Sequence, residues 1–211
     1  MIKLSEFSKN PIKRKNTDNL SIFYEVENRN VTYPRLEFKK DKILIVLPKD
    51  VKNEKDILTK KHSWITKKQR IIDKSIKNLE SDYHSHFMVL GEPSQMKHFT
   101  ESRLKEILKE KLNEFSEVYS KSLKVKINGM SIRKQKTKWA SCSEKRNLSF
   151  NLKLVHLPEN LIRYVVYHEM VHIREKKHNR NFWMYIKKEF PNYKKMENLL
   201  LGFWFYLDKH D

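Results

Sequence analysis

Leu161-Ile162-Arg163-Tyr164-Val165-Val166-Tyr167-His168-Glu169-Met170-Val171-His172 is the stretch on which the reading of this chain turns. Leu161, Val165, His168 and His172 follow the stripe of one helix face, and Ile162, Val166 and Glu169 follow the adjoining stripe. The two His are four residues apart. They therefore lie about 40° apart around the axis and one turn along it, so both imidazoles can grip one ion. Pro158 suits the first turn of such a helix, and Glu159 favours its positive end. Nine His in the chain would generate H-E-x-x-H by chance only roughly 0.03 times, so the motif carries weight.

The chemistry follows from the residue types. A catalytic zinc ion takes three protein ligands and leaves its fourth position to water. Glu169 lies beside the first ligand and can take a proton from that water. The pattern predicts a zinc-dependent hydrolase, with His168 and His172 as two ligands and His178 as the third. If the helix ran on, six residues would turn His178 about 240° from His172, away from the ion. The chain must therefore leave the helix near Glu175–Lys177. Asn179 tolerates the left-handed conformation such a bend needs, and Asn179 or Asn181 can cap a following helix over Arg180–Phe190 that Pro191 closes. Glu189 and Glu197 are the rival third ligands.

Composition bounds the rest. The 211 residues carry 45 Lys and Arg against 26 acids, a formal charge of +19. That balance admits nucleic acid or another polyanion as a partner through basic faces. A Lys-rich, Gly- and Ala-poor bias of the sort imposed by an A+T-rich genome explains it equally well. The single Cys, Cys142, excludes a disulfide framework and fits a reducing cytosol. No apolar run approaches about 18 residues, so a cytoplasmic protein without a membrane span is expected. Nothing in the sequence reports the oligomeric state.

Along the chain, Leu20–Val26, Val31–Phe38 and Lys42–Leu47 read as strands, the last two parted by Lys39-Lys40-Asp41. A long amphipathic helix starts at Asp50 or Asn53, with Lys60, Lys61, Lys67, Lys68, Arg70, Lys74 and Lys77 on its basic face. Residues 81–99 read as a polar connection. His84 and His86 within it are two apart, a poor spacing for a second metal site. A helix follows at Thr100–Ser122. Lys124–Asn128, Met130–Arg133 and Asn147–Val155 alternate like strands. Met196–Leu207 is an aromatic terminal helix, packed on the body or on a second copy.

Before the motif helix stands a basic stretch containing Lys134, Lys136, Lys138-Trp139-Ala140-Ser141-Cys142. As a sheet edge or loop beside that helix it would face the cleft. Lys136, Lys138, Trp139 and Ser141 are then candidate substrate-binding residues. The same lysines, with Lys134, would serve a metal-dependent nucleoside triphosphate pyrophosphohydrolase, although the chain has no Gly-rich phosphate loop. A non-catalytic nucleic-acid-binding zinc module is the third reading. Glu169 argues against it, because a structural zinc site needs no base.

These residues resemble the YgjP-like metallopeptidase domain family, relatives of the SprT-type proteases. The resemblance rests on Lys138-Trp139-Ala140-Ser141-Cys142, Asn151-Leu152-Lys153-Leu154, Tyr164–His172 and His178-Asn179-Arg180-Asn181-Phe182-Trp183. Ala140 stands where the family has Gly. The resemblance implies a protein or peptide substrate and an α+β fold. It further implies a zincin-like metallopeptidase core of helix, small sheet and active-site helix. His168, His172 and His178 would bind Zn2+, with Glu169 as base. On this reading residues 1–92 form a β-rich N-terminal lobe with a long basic helix. Residues 93–211 form the metallopeptidase domain with its aromatic C-terminal helix.

Overall fold

The computed structural model describes residues 13–17, 20–38, 43–51, 54–83, 88–94 and 99–210. The turn at residues 39–41 and the side chains of His84, His86 and His98 lie outside them. The fold is α+β, and the chain divides into two compact units, one of residues up to Lys74 together with Asp208–Asp211 and one of Ser75–Leu207.

The first unit holds a four-stranded sheet of β1 (Lys13–Thr17), β2 (Leu20–Arg29), β3 (Arg35–Phe38) and β4 (Ile43–Pro48), in the order β1-β2-β4-β3. Only the β2–β4 pair is parallel. Ile43 to Leu47 are all buried, as a central strand covered on both faces requires. The alternation that predicts a strand from Val31 begins only at Arg35, because Pro34 lacks the amide a ladder needs. Helix α1 (Glu54–Tyr83) sets Leu58 and Ile65 into the core formed with Tyr24, Ile45 and Leu47.

The second unit begins with the last turns of α1. A short hairpin of β5 (Met88–Val89) and β6 (Glu92–Pro93) interrupts what reads as a polar connection. Its turn puts Leu90 and Gly91 at φ 54° and 83°. A Cβ on Gly91 would also come within 2.6 Å of Pro158 Cα, so only glycine fits on both counts. The hairpin is pinned by Leu90 N–H donating to Val155 O at 2.7 Å and by His156 Nδ1 lying 2.8 Å from Met88 O.

Helix α2 (Glu101–Leu123) starts where the Thr100 side chain accepts from Arg103 N–H. Leu104, Leu108, Leu112, Phe115 and Tyr119 form its buried stripe. It ends at Lys124, left-handed at φ 51°, with the Lys124 and Val125 amides turned back to Lys121 and Ser120 carbonyls. That cap takes up the backbone of the region, so Lys124–Asn128 is not the strand its alternation predicts. A three-stranded sheet follows, β7 (Gly129–Arg133), β8 (Ala140–Cys142) and β9 (Asn147–Asn151), in the order β7-β9-β8. β7 runs parallel to β9 and β8 antiparallel, which leaves β8 at an edge. The strand expected over Asn147–Val155 stops at Asn151. Its side chain accepts from Lys153 N–H and starts a 3-10 turn, Leu152–His156.

Helix α3 (Glu159–Val171) packs on α2, tied at its start by Lys111 Nζ to Glu159 at 2.8 Å. Helix α4 (Arg180–Glu189) and helix α5 (Tyr193–His210) complete the unit. Leu200, Phe203 and Tyr206 of α5 enter the core of this same unit, so the aromatic face packs on the body. Gly202 allows that approach, because a Cβ there would land on Ser75 Cβ. We predict that Gly202→Ala destabilises the protein by about 1–3 kcal/mol through overpacking. Adding Ser75→Gly should recover most of the loss and Ser75→Ala little of it, as read by thermal denaturation.

Candidate metal centre

His168 and His172 project from the last turn of α3 and its C-cap. The helix stops at His172, earlier than the bend at residues 175–177 that the sequence suggests. The Ile173, Arg174 and Glu175 amides donate to Met170 and Val171 carbonyls, closing the turn. Arg174 then reaches across to α2, donating to Leu123 O at 2.6 Å, with its guanidinium 5.4 Å from the Tyr185 ring centroid. Asn179 locks the return. Its Nδ2 donates to Glu175 Oε2 at 2.9 Å, and its Oδ1 caps α4 by accepting from Phe182 N–H at 2.9 Å. Trp183 Nε1 donates to His178 O at 3.1 Å. These bonds bring His178 back over the helix it left.

The result is convergence. His178 Nε2 lies 3.0 Å from His168 Nε2 and 3.1 Å from His172 Nε2. The ligand atoms of all three residues lie within 4.8 Å of one another, and the set can hold a metal ion. Zinc ligated at about 2.0–2.1 Å spaces tetrahedral nitrogens about 3.4 Å apart, so modest adjustment makes the site fit. Protonation accounts for the cluster less well. His172 Nδ1 lies 3.1 Å from Glu175 O, which places its proton there and leaves Nε2 a bare acceptor. One proton on His178 Nε2 cannot bridge both neighbours at once, whereas a cation takes all three lone pairs. Burial drives His168 down to about 3 and lowers His172, with the neighbouring imidazoles adding to the effect. Both rings are thus held neutral, the form that ligates. Phe182, fully buried, forms the floor, its ring centroid 4.9, 4.7 and 4.5 Å from those of His168, His172 and His178.

Glu169, 8% exposed, lies on the same helix turned towards β8. Burial raises its carboxyl to about 7, against the opposing pulls of the Lys138 ammonium and a Cys142 backbone hydrogen bond. The ladder explains that bond. Residues 139, 141 and 143 face β9, as the Asn151 N–H to Trp139 O and Ser143 N–H to Asn147 O bonds show. Ala140 and Cys142 therefore turn their backbone groups to the outer edge, where the Cys142 amide meets Glu169.

The other sequence candidates are dispersed. Lys136 and Lys138 are exposed on the loop before β8, and Ser141 is half-buried within β8. Trp139 is half-buried and committed: its Nε1 donates to Leu200 O at 3.3 Å and its ring meets Trp204 edge-on. Lys134 instead pairs with Glu101 at 2.6 Å, an exposed contact. Cys142 is pushed up to about 11 by burial and the Glu169 charge, so it stays a thiol. Glu197 accepts from Tyr164 Oη at 3.4 Å and is not in the converging set; nor is Glu189. Ala140 occupies regular strand, so the Gly of the family pattern is not needed for the turn.

Sequence reasoning gave Arg174 and Glu175 only as part of a bend and Asn151 only as part of a motif, without their bonding roles. Asn151, 1% exposed, donates to Gln135 O and Lys138 O at 2.8 and 3.0 Å and so fixes the loop that carries Lys136 and Lys138. Its polar side chain amid an apolar run was the available signal. Glu175 acts partly through a carbonyl, which no side-chain pattern reports.

The chain belongs to the YgjP-like, metallopeptidase domain family, which matches residues 72–201. That makes it a hydrolase of the peptidase type, acting on a protein or peptide. Among solved structures it is similar to the metallopeptidase zymogen abylysin of Pyrococcus abyssi, at 23% identity and TM-score 0.40. That match covers 43% of this chain and 91% of the other. It is also similar to the zymogen of jannalysin from Methanocaldococcus jannaschii, at 26% identity and TM-score 0.36, covering 44% and 90%. No curated protein matches the chain. No helix among the described residues is long and apolar enough to cross a membrane.

Purified protein should bind one divalent cation per chain by isothermal titration. His178→Ala should abolish that binding. Asn179→Ala should weaken it about tenfold, because the residue fixes a ligand without contacting the ion.

Proposed function

We propose that this chain is a zinc-dependent peptidase in which His168, His172 and His178 hold the ion and Glu169 is the catalytic base. The observation that carries the reading is the meeting of three Nε2 atoms next to a buried carboxyl raised to about 7. Bound zinc supplies Lewis-acid activation of a water and of the scissile carbonyl. Glu169 takes the water's proton on its carboxylate and delivers it to the departing amine nitrogen. A carboxyl near neutrality suits both halves of that transfer.

The free edge of β8 supports a peptide substrate. Ala140 presents its amide and carbonyl there, and no described residue pairs with them. An extended peptide can add to this edge as a further strand, which lays a scissile bond beside Glu169. On this reading the exposed Lys136 and Lys138 would meet acidic or carboxylate groups on the substrate, and Ser141 would contact it from β8. On this reading Trp139, held by Leu200, would border the bound substrate. Triphosphate hydrolysis, which counts on three lysines, has one of them paired with Glu101. An unpaired Cys142 thiol supports a cytoplasmic setting.

Glu169→Gln should retain the full metal stoichiometry while peptide hydrolysis falls by about 10²–10⁴-fold. A quenched-fluorescent peptide library, run with and without chelator, measures the second quantity. Hydrolysis undiminished in this variant would remove the base assignment.

A further inference from the structure

In the N-terminal unit, one face of α1 borders a cavity of about 580 Å³ lined by His62, Thr66, Lys67, Arg70, Ile71 and Lys74. Steps of three and four residues align these side chains along one stripe. Two polar atoms of the stripe, His62 Nδ1 and Thr66 Oγ1, are buried and have no hydrogen-bond partner. Buried polar groups are ordinarily satisfied, and a helical Thr hydroxyl has a ready acceptor one turn back. Here that bond is not made.

The cations of the stripe are equally unengaged. Lys105, Lys111, Lys121 and Lys134 of the second unit each pair with a Glu. Lys67, Arg70 and Lys74 have no acidic partner among the described residues. Arg70 and Lys74 are separated by about 6 Å along the helix axis and Lys67 and Lys74 by about 10.5 Å. Each can therefore take a different anionic group along a chain of them.

We propose that this face of α1 binds the phosphodiester backbone of a nucleic-acid strand. The site offers a guanidinium fork and two ammonium groups along one helix face. A phosphate has oxygens enough to use such a set. Ile71 and the stems of the lysines supply an apolar wall for sugar and base. A net charge of +19 attracts such a strand from a distance. The inference stands apart from the metal centre and would survive its loss.

The test is fluorescence anisotropy of a labelled single-stranded oligonucleotide of roughly 20 residues with the full-length chain across a NaCl series. Replacing Lys67, Arg70 and Lys74 together by Gln should weaken binding at least about tenfold near 100 mM salt. It should also lower the slope of log K against log salt by about two, as loss of three phosphate contacts predicts. A control with Lys109, Lys126 and Lys145 replaced by Gln removes equal charge from the second unit and should stay within about threefold of wild type. Thermal denaturation verifies that both variants fold. Equal losses in the two variants would reduce the effect to net charge and overturn the proposal. So would wild-type protein that does not bind the strand, or poly-glutamate competing as well as unlabelled DNA.

Discussion

Six residues separate His172 from His178, and the geometry of the site depends on how that short span is bent. A continuing helix would carry His178 to the far side of the axis. The helix ends instead at its second histidine, and the Arg174 guanidinium anchors the exit on the C-terminal carbonyl of α2. A cation at a helix C-terminus is favourable in its own right, since it meets the negative end of the dipole. The same contact closes α2 and aims the site. Glu175 and Asn179 complete the bend, one holding the His172 ring through its carbonyl, the other joining the turn to the next helix. The His172 ring is thus oriented by backbone as much as by packing.

Burial gives the arrangement its electrostatic character. The α3 stripe that makes the core continues without a break into the two imidazoles, and Phe182 closes the space beneath all three. In that setting a charged imidazole is unfavourable, so the His168 and His172 rings stay neutral and keep their lone pairs. The same desolvation acts on Glu169 with the opposite consequence, keeping its proton affinity high. Lys138 and the Cys142 amide temper the effect. A strand edge beside a helix therefore tunes the carboxyl and leaves backbone groups for a peptide, from one local geometry.

Much of the architecture is legible in periodicity. The buried stripes of α2 and α3 obey the helical repeat, and the starts of α2 and α3 and the end of α4 fall where Thr100, Pro158 and Pro191 suggest. Strand boundaries are less legible. Lys124–Asn128 alternates as a strand does, but the α2 cap consumes its first amides. Asn147–Val155 is cut at Asn151 because that side chain bonds the backbone two residues on. Both failures have one origin: a hydrogen bond to a neighbouring backbone outcompetes the ladder that alternation alone would favour.

By itself, the sequence determined the identity and helical spacing of the H-E-x-x-H pair. Spacing on a rigid helix is a local property, set by 3.6 residues per turn. It likewise fixed the excess of positive charge and the apolar stripes that must be covered. Tertiary structure alone decided that His178, rather than Glu189 or Glu197, joins the pair, because that choice rests on a contact between residues 51 positions apart, Arg174 and Leu123. It also decided that Lys134 pairs with Glu101 while the charge of Lys138 bears on Glu169. Lysines alike in sequence differ only in what the folded chain places around them.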